Sequence, residues 1–316
     1  MTKKRFLLTG ILCSALFLGG CSALTNSNDE TGKEKEQKTD KKTEEEMIED
    51  KYFVSIQDYT GEEYTLDNGE ETDKIAEENR DEVEKAIKKY FKDEYKTEVK
   101  VHNIVGAIDG ATVFVESVGK PHFYSYAIIP IDKDKKEVDS EGVWSQEGQI
   151  ETSIVSGLYA WIYEDEFKEL DKFVEKIPEE YPIVGMRKEA IENVGGGYYT
   201  TPYFNVTIFG GRIKELLPEY LKNPNKGIEE WRKMVNNSQL DPSMISISIE
   251  MYMKEKDVEP DKSAFNEIVD KLVEKEGLPA GEYSFFLHDN QIDKTSGQNN
   301  KENSLEKGAP NYIVKE

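Results

Sequence analysis

A chain of 316 residues with 64 acidic and 41 basic side chains carries a formal net charge of −23, and its length allows one large domain or two modest ones. Hydrophobic residues at 37% and charged residues at 33% describe a globular core joined to long solvated segments. The acidic balance excludes a typical nucleic-acid partner, which needs clustered Lys and Arg. Three histidines and two cysteines leave little for metal, haem or thiol chemistry, so neither a metal nor a cofactor is expected.

Residues 1–20 read as a signal peptide. Lys3, Lys4 and Arg5 precede an apolar run from Phe6 to Leu18, too short to span ~30 Å of hydrocarbon, which takes roughly 20 residues. The run ends in Leu18-Gly19-Gly20-Cys21, which resembles the lipobox of bacterial lipoproteins. That resemblance implies cleavage between Gly20 and Cys21 and a diacylglycerol on the Cys21 sulfur, with a further acyl chain such as palmitate. Cleavage removes three positive charges and takes the net charge from −23 to −26. It also removes Cys13, so the mature chain has no thiol free to form a disulfide. Acyl chains contribute ~0.8 kcal/mol per buried methylene, and two are enough for stable anchoring.

From Cys21 through Asp50 the chain reads as a disordered charged tether. Thr25 to Glu46 contains no aliphatic or aromatic side chain, so nothing offsets the entropy of ordering it. As a coil, Ser22–Asp50 reaches ~30 Å on average. A spacer is the plainer reading, and a charged ligand segment for a wall polymer is the alternative.

The folded part divides into a first half at 51–180, a second at 181–290 and a polar C-terminal tail at 291–316. Tyr52, Val54 and Ile56 alternate and Tyr64 and Leu66 resume the pattern, which predicts a hairpin. Thr72 or Asp73 caps a helix striped by Ala76, Val83, Ala86, Ile87, Tyr90 and Phe91. Three strands follow around Val99–Val105, Val113–Val115 and His122–Ile131, and their short connections favour an antiparallel meander. Ile154 to Ile177 is helical, stopped by Pro178 and Pro182. The second half carries an aromatic strand at Tyr198–Ile208, helices at Arg212–Lys222 and Ile228–Asn236, and a clear strand at Ser243–Met253. A helix opened by Pro260 and Asp261 and a last strand at Tyr283–His288 complete it. Beyond Asp289 the chain reads as polar and loose. The fold class is α+β, with short antiparallel sheets, packed helices and room for two similar halves.

Chemistry is hard to find in the letters. No G-x-S-x-G, Walker, H-E-x-x-H or C-x-x-C motif occurs. Asp132, Asp134 and Asp139 match calcium-loop spacing only loosely, because Lys136 and Glu137 stand where a ligand and a glycine belong. Alternation puts His122, Tyr124 and Tyr126 on one strand face and His102 on the polar face of its own strand. If those faces coincide, the four line a ligand groove with stacking surface. The competing reading is a merely amphipathic sheet, favoured by the lack of metal-ligand spacing.

Several segments are similar to a family of uncharacterised Gram-positive lipoproteins, a domain of unknown function. They include Ser55 to Gly61, Val101 to Gly106, Asp109 to Ser117, Gly119 to Tyr124, Val143 to Gln149 and Glu276 to Pro279. The resemblance implies a domain facing the cell wall from the outer leaflet, and carries over no functional residue except Cys21. The expected role is a binding or accessory module at the cell envelope rather than an enzyme. Its partners would be the membrane, through the lipid anchor, and an envelope protein or wall component. The alternative is a hydrolase-like envelope enzyme whose site forms only in the fold.

Overall fold

The computed structural model describes residues 51–195, 197–235, 240–299 and 301–316. The expected signal peptide, Cys21 and the expected tether lie outside the described residues. The described residues all fall in one compact unit.

The predicted N-terminal hairpin does not form. Tyr59 and Asp58 donate their backbone N–H to Ser55 O, turning the chain at once, so the strand is only three residues, β1 (Phe53–Ser55). Its partner is Gln291–Asp293, from the far end of the sequence. Ile56 and Tyr59 are buried there beside Ala190, Tyr252 and Ile292 in a small separate cluster.

The next segment yields two helices, α1 (Glu70–Glu78) and α2 (Arg80–Tyr95). Thr72 does not cap. It is fully buried, and its hydroxyl donates to Ala107 O (2.5 Å) and lies 3.0 Å from Gly69 O, docking α1 on the sheet. Asn79 separates the helices by spending its side-chain amide on Ile75 O at 2.8 Å, the local competition that makes Asn a poor interior helix residue. Val83, Ala86, Ile87 and Phe91 form the buried stripe as predicted.

The meander is present as β2 (Val99–Ala107), β3 (Gly110–Ser117), β4 (Tyr124–Asp132) and a short β5 (Glu137–Val138), all antiparallel and in sequence order. Two helices follow, α3 (Gln149–Ile162) and α4 (Glu164–Glu180). Pro178 lies inside the last turn of α4, and the chain leaves the helix at Tyr181, just before Pro182. α3 is buried nearly all round, from Ile150 to Ile162, because it packs on β4 and also on the second sheet. A helix apolar on every side is a core helix. Its Ser153 hydroxyl bonds Ser125 of β4 at 3.2 Å, and its Ser156 accepts from the N–H of Ile208 at 3.3 Å. One hydrophobic cluster therefore runs through both halves.

The second sheet is built from β6 (Ile183–Val184), then, after α5 (Lys188–Val194), from β7 (Tyr199–Thr200) and β8 (Phe204–Ile208). The predicted aromatic strand is thus broken in two by Thr201–Tyr203. Short helices α6 (Gly211–Lys214), α7 (Leu217–Lys222) and α8 (Ile228–Met234) bury Ile213, Tyr220 and Trp231. β9 (Ile245–Met253) turns Ile245, Ile247, Ile249 and Met251 to the core. α9 (Lys262–Glu274) starts where predicted, with Asp261 accepting from Ser263 N at 2.8 Å and Ala264 N at 3.1 Å. It leads into β10 (Gly281–His288), which pairs with β9 in parallel. This β9–α9–β10 crossover departs from the otherwise antiparallel pattern.

The stretch after Asp289 is polar but not loose. It supplies β11 (Gln291–Asp293), paired with β1, and then β12 (Leu305–Lys307) and β13 (Ile313–Lys315), both antiparallel to β10. Ile292 is fully buried and Ile313 nearly so. Lys315 Nζ donates to Val273 O and Lys275 O at the end of α9, which suits the negative end of the helix dipole. Among the described residues, no helix is long and apolar enough to cross a membrane.

Candidate functional site

The alternation of β3 decides the site. Ala111, Val113 and Val115 are buried in the main core, so Phe114 and Glu116 point to the opposite face. The register aligns Lys100, Glu116 and Tyr124 across three strands, and Asn103, Phe114 and Tyr126 next to them. Between Val101 and Asn103 the β2 register shifts, leaving His102 as the extra residue of a bulge, a device that re-aims a side chain.

The two histidines meet on one carboxylate. His102 Nε2 lies 2.9 Å from Glu116 Oε2, and His122 Nε2 lies 2.9 Å from Glu116 Oε1. An ionised carboxylate only accepts, so each Nε2 carries the proton. The side chains of His102, Glu116 and His122 are 6%, 18% and 29% exposed. Burial raises the Glu116 pKa, but the hydrogen bonds and charges of His122 and His102 outweigh it and leave the carboxyl below its ordinary range.

Tyrosines wall the cluster. The His122 ring meets Tyr124 edge-on at 5.2 Å and Tyr199 at 6.2 Å. Burial, then the charge of Glu116, raises the Tyr124 hydroxyl pKa. Burial, followed by the charge of Asp171, pushes Tyr199 up to about 12. Both therefore remain neutral donors. α5 lies along the edge, with Asn103 Nδ2 donating to Asn193 O at 3.1 Å. From α5, Glu192 brings a second carboxylate to the cluster, so that ligand atoms of His102, Glu116 and Glu192 lie within 4.8 Å of one another. Lys188 Nζ, one turn back, pairs with Glu192 at 2.7 Å.

Of the residues singled out from the sequence, His102, His122 and Tyr124 come together here. Tyr126 stands one register pair along, packed on Phe114 at 6.1 Å and donating to Gln146 Oε1 at 2.8 Å. Glu116 and Glu192 were missed. With 64 carboxylates in the chain, only strand pairing and the position of α5 distinguish them. The third histidine, His288, sits apart on β10 against Ser304. Asp132 and Asp139 accept from nearby backbone N–H groups, of Lys135 and Gly142, and Asp132 also pairs with Lys135 Nζ, holding their own loop.

A family profile described as protein of unknown function (DUF1672) matches residues 44–315. The chain belongs to the DUF1672 family. The same fold occurs in the crystal structure of a DUF1672 family protein from Staphylococcus aureus subsp. aureus Mu50, with a TM-score of 0.69 and 18% sequence identity. The match covers 84% of this chain and 98% of that one, and at this identity the likeness concerns the fold alone. No curated protein matches. Family membership thus extends over the whole described fold, and the site has to be argued from its own geometry.

Proposed function

We propose that this DUF1672 protein is an extracytoplasmic lipoprotein, held on the outer face of the cell membrane by acyl chains on Cys21, and that it works by binding at the cell envelope. The spacing of basic residues, apolar run, Gly19-Gly20 and Cys21 supports the anchor. The observation that carries the binding activity is Glu116, clamped between His102 and His122 and flanked by Tyr124 and Tyr199. A few fixed polar groups beside aromatic rings are what a ligand-orienting surface requires.

Anchoring is tested by fractionating cells that express the parent or Cys21→Ala, with mass spectrometry of the N-terminal peptide. The parent peptide should carry diacylglycerol, and the variant should leave the membrane fraction. Full retention of Cys21→Ala at the membrane refutes the anchor. Binding is tested by thermal shift of the full chain in detergent against wall fragments, sugars and peptides. A ligand at ~100 times its Kd stabilises by about 2.7 kcal/mol, and that shift should be lost in His122→Asn.

A further inference from the structure

We propose that the Glu116 face takes a divalent transition cation of the zinc class, with His102, Glu116 and Glu192 as its protein ligands and His122 holding the free oxygen of Glu116. The inference deepens the binding reading above and rests on it.

The donor set points this way. His102 comes from the β2 bulge, Glu116 from β3 and Glu192 from α5, and one ligand atom of each lies within 4.8 Å of the others. Around a tetrahedral cation at ~2.0–2.2 Å, ligand atoms stand roughly 3.4 Å apart. The widest pair therefore needs to approach by no more than roughly 1.4 Å, while His102 Nε2 and Glu116 Oε2, 2.9 Å apart, would separate slightly. An imidazole nitrogen among carboxylates suits zinc, nickel or copper, whereas calcium and magnesium take oxygen alone. Three protein ligands leave one position open to water or a further ligand. Two carboxylates and a neutral imidazole also balance a doubly charged cation, which would replace the Nε2–H···Oε2 hydrogen bond of His102 and leave the ring proton on Nδ1.

The environment contains the outer contacts that such a site uses. His122 donates to Glu116 Oε1 while Glu116 Oε2 faces His102, so the carboxylate is already oriented. A hydrogen-bonded His–Glu–His group by itself gives no reason for a second carboxylate to converge on it. Glu192 does so, and its countercharge is Lys188, whose side chain is 65% exposed. A solvated lysine on a flexible stem competes with a cation for Glu192 and can swing aside.

The test titrates the full chain, purified in detergent and stripped with EDTA, with Zn²⁺ by calorimetry, and with Co²⁺ by visible absorption. One site per chain is expected, with a Co²⁺ spectrum of nitrogen and oxygen ligation. Glu116→Gln and Glu192→Gln should each weaken binding by ten-fold or more. Lys188→Gln removes an exposed competitor without touching the core, and should tighten binding roughly two- to five-fold. Zn²⁺ affinity unchanged in both glutamine variants, or not improved in Lys188→Gln, overturns the assignment. A second arm keeps EDTA present and offers wall fragments and peptides. A response there that disappears in His122→Asn, with no Zn²⁺ isotherm in the parent, ends the metal inference and leaves the binding reading standing. No response in either arm removes both.

Discussion

Acidification should weaken this fold through His288, by an amount that can be worked out in advance. The imidazole is 6% exposed, lies 5.3 Å from the Tyr252 ring and 6.1 Å from Phe286, and has Nδ1 2.8 Å from Ser304 Oγ. Burial lowers its pKa from 6.5 to about 4, with the nearby Asp289 acting in the opposite direction and itself paired to Lys301 at 3.0 Å. Between those values the unfolded chain binds a proton that the folded one refuses, so stability is complete above pH 6.5 and falls as the pH drops towards 4. The interval corresponds to about 3 kcal/mol once the pH reaches 4, and to about 2 kcal/mol at pH 5. Many carboxylates titrate in the same range, so the measurement is a difference. Urea unfolding of the parent and of His288→Gln, followed by tryptophan fluorescence at pH 7.5 and pH 5, should show the parent losing about 2 kcal/mol more than the variant. Parallel losses in the two proteins would mean that His288 is already protonated in the fold, and the burial argument would fail.

Gly157 of α3 faces the lead-in to β4, and a Cβ there would lie 2.5 Å from His122 O and 3.2 Å from Pro121 Cβ. Gly157→Ala should lower stability by about 1–3 kcal/mol through overpacking, although Ala is favoured over Gly in a helix by about 1 kcal/mol; a stabilised variant in urea unfolding contradicts the packing. Truncation after Asn303 removes β12 and β13 from β10 and the Lys315 contacts with α9. It should lower the unfolding midpoint and speed amide exchange in Gly281–His288, and unchanged protection there would show that the tail is dispensable. Asp171 has its carboxyl pushed up to about 6 by burial and then by Glu175, so its ionised form is penalised above pH 6 and the penalty vanishes below the unfolded value of 3.8. Asp171→Asn should therefore stabilise the protein at pH 7 and not at pH 3.5; equal effects at both pH values count against it.

Local patterns were readable where one residue period dominates. The stripe Val83–Phe91, the alternation of Ile245, Ile247 and Ile249, and the Asp261 cap each follow from a single element and its own face. Long-range pairing was not readable. Nothing in Tyr52–Ile56 says that its partner is Gln291–Asp293, and the polar letters after Asp289 conceal β12 and β13, whose stability comes from pairing with β10. The connection between β9 and β10 reads as a helix from its sequence, but no local signal distinguishes a parallel return from an antiparallel one. At the candidate site the histidines and Tyr124 were visible by type. Glu116 was not, because its meaning depends on strand register, and Glu192 depends on where α5 crosses the sheet. The bulge that aims His102 shifts the alternation by one residue, which a period-two reading cannot anticipate.

The most direct test of the cation assignment is a crystal of the full chain grown with zinc, measured on both sides of the zinc absorption edge. One strong anomalous peak per chain is expected, roughly 2.0–2.2 Å from His102 Nε2 and from one carboxylate oxygen each of Glu116 and Glu192, with Lys188 turned away from Glu192. A crystal grown with zinc that shows no peak there, with both imidazoles still hydrogen-bonded to Glu116, would contradict the assignment.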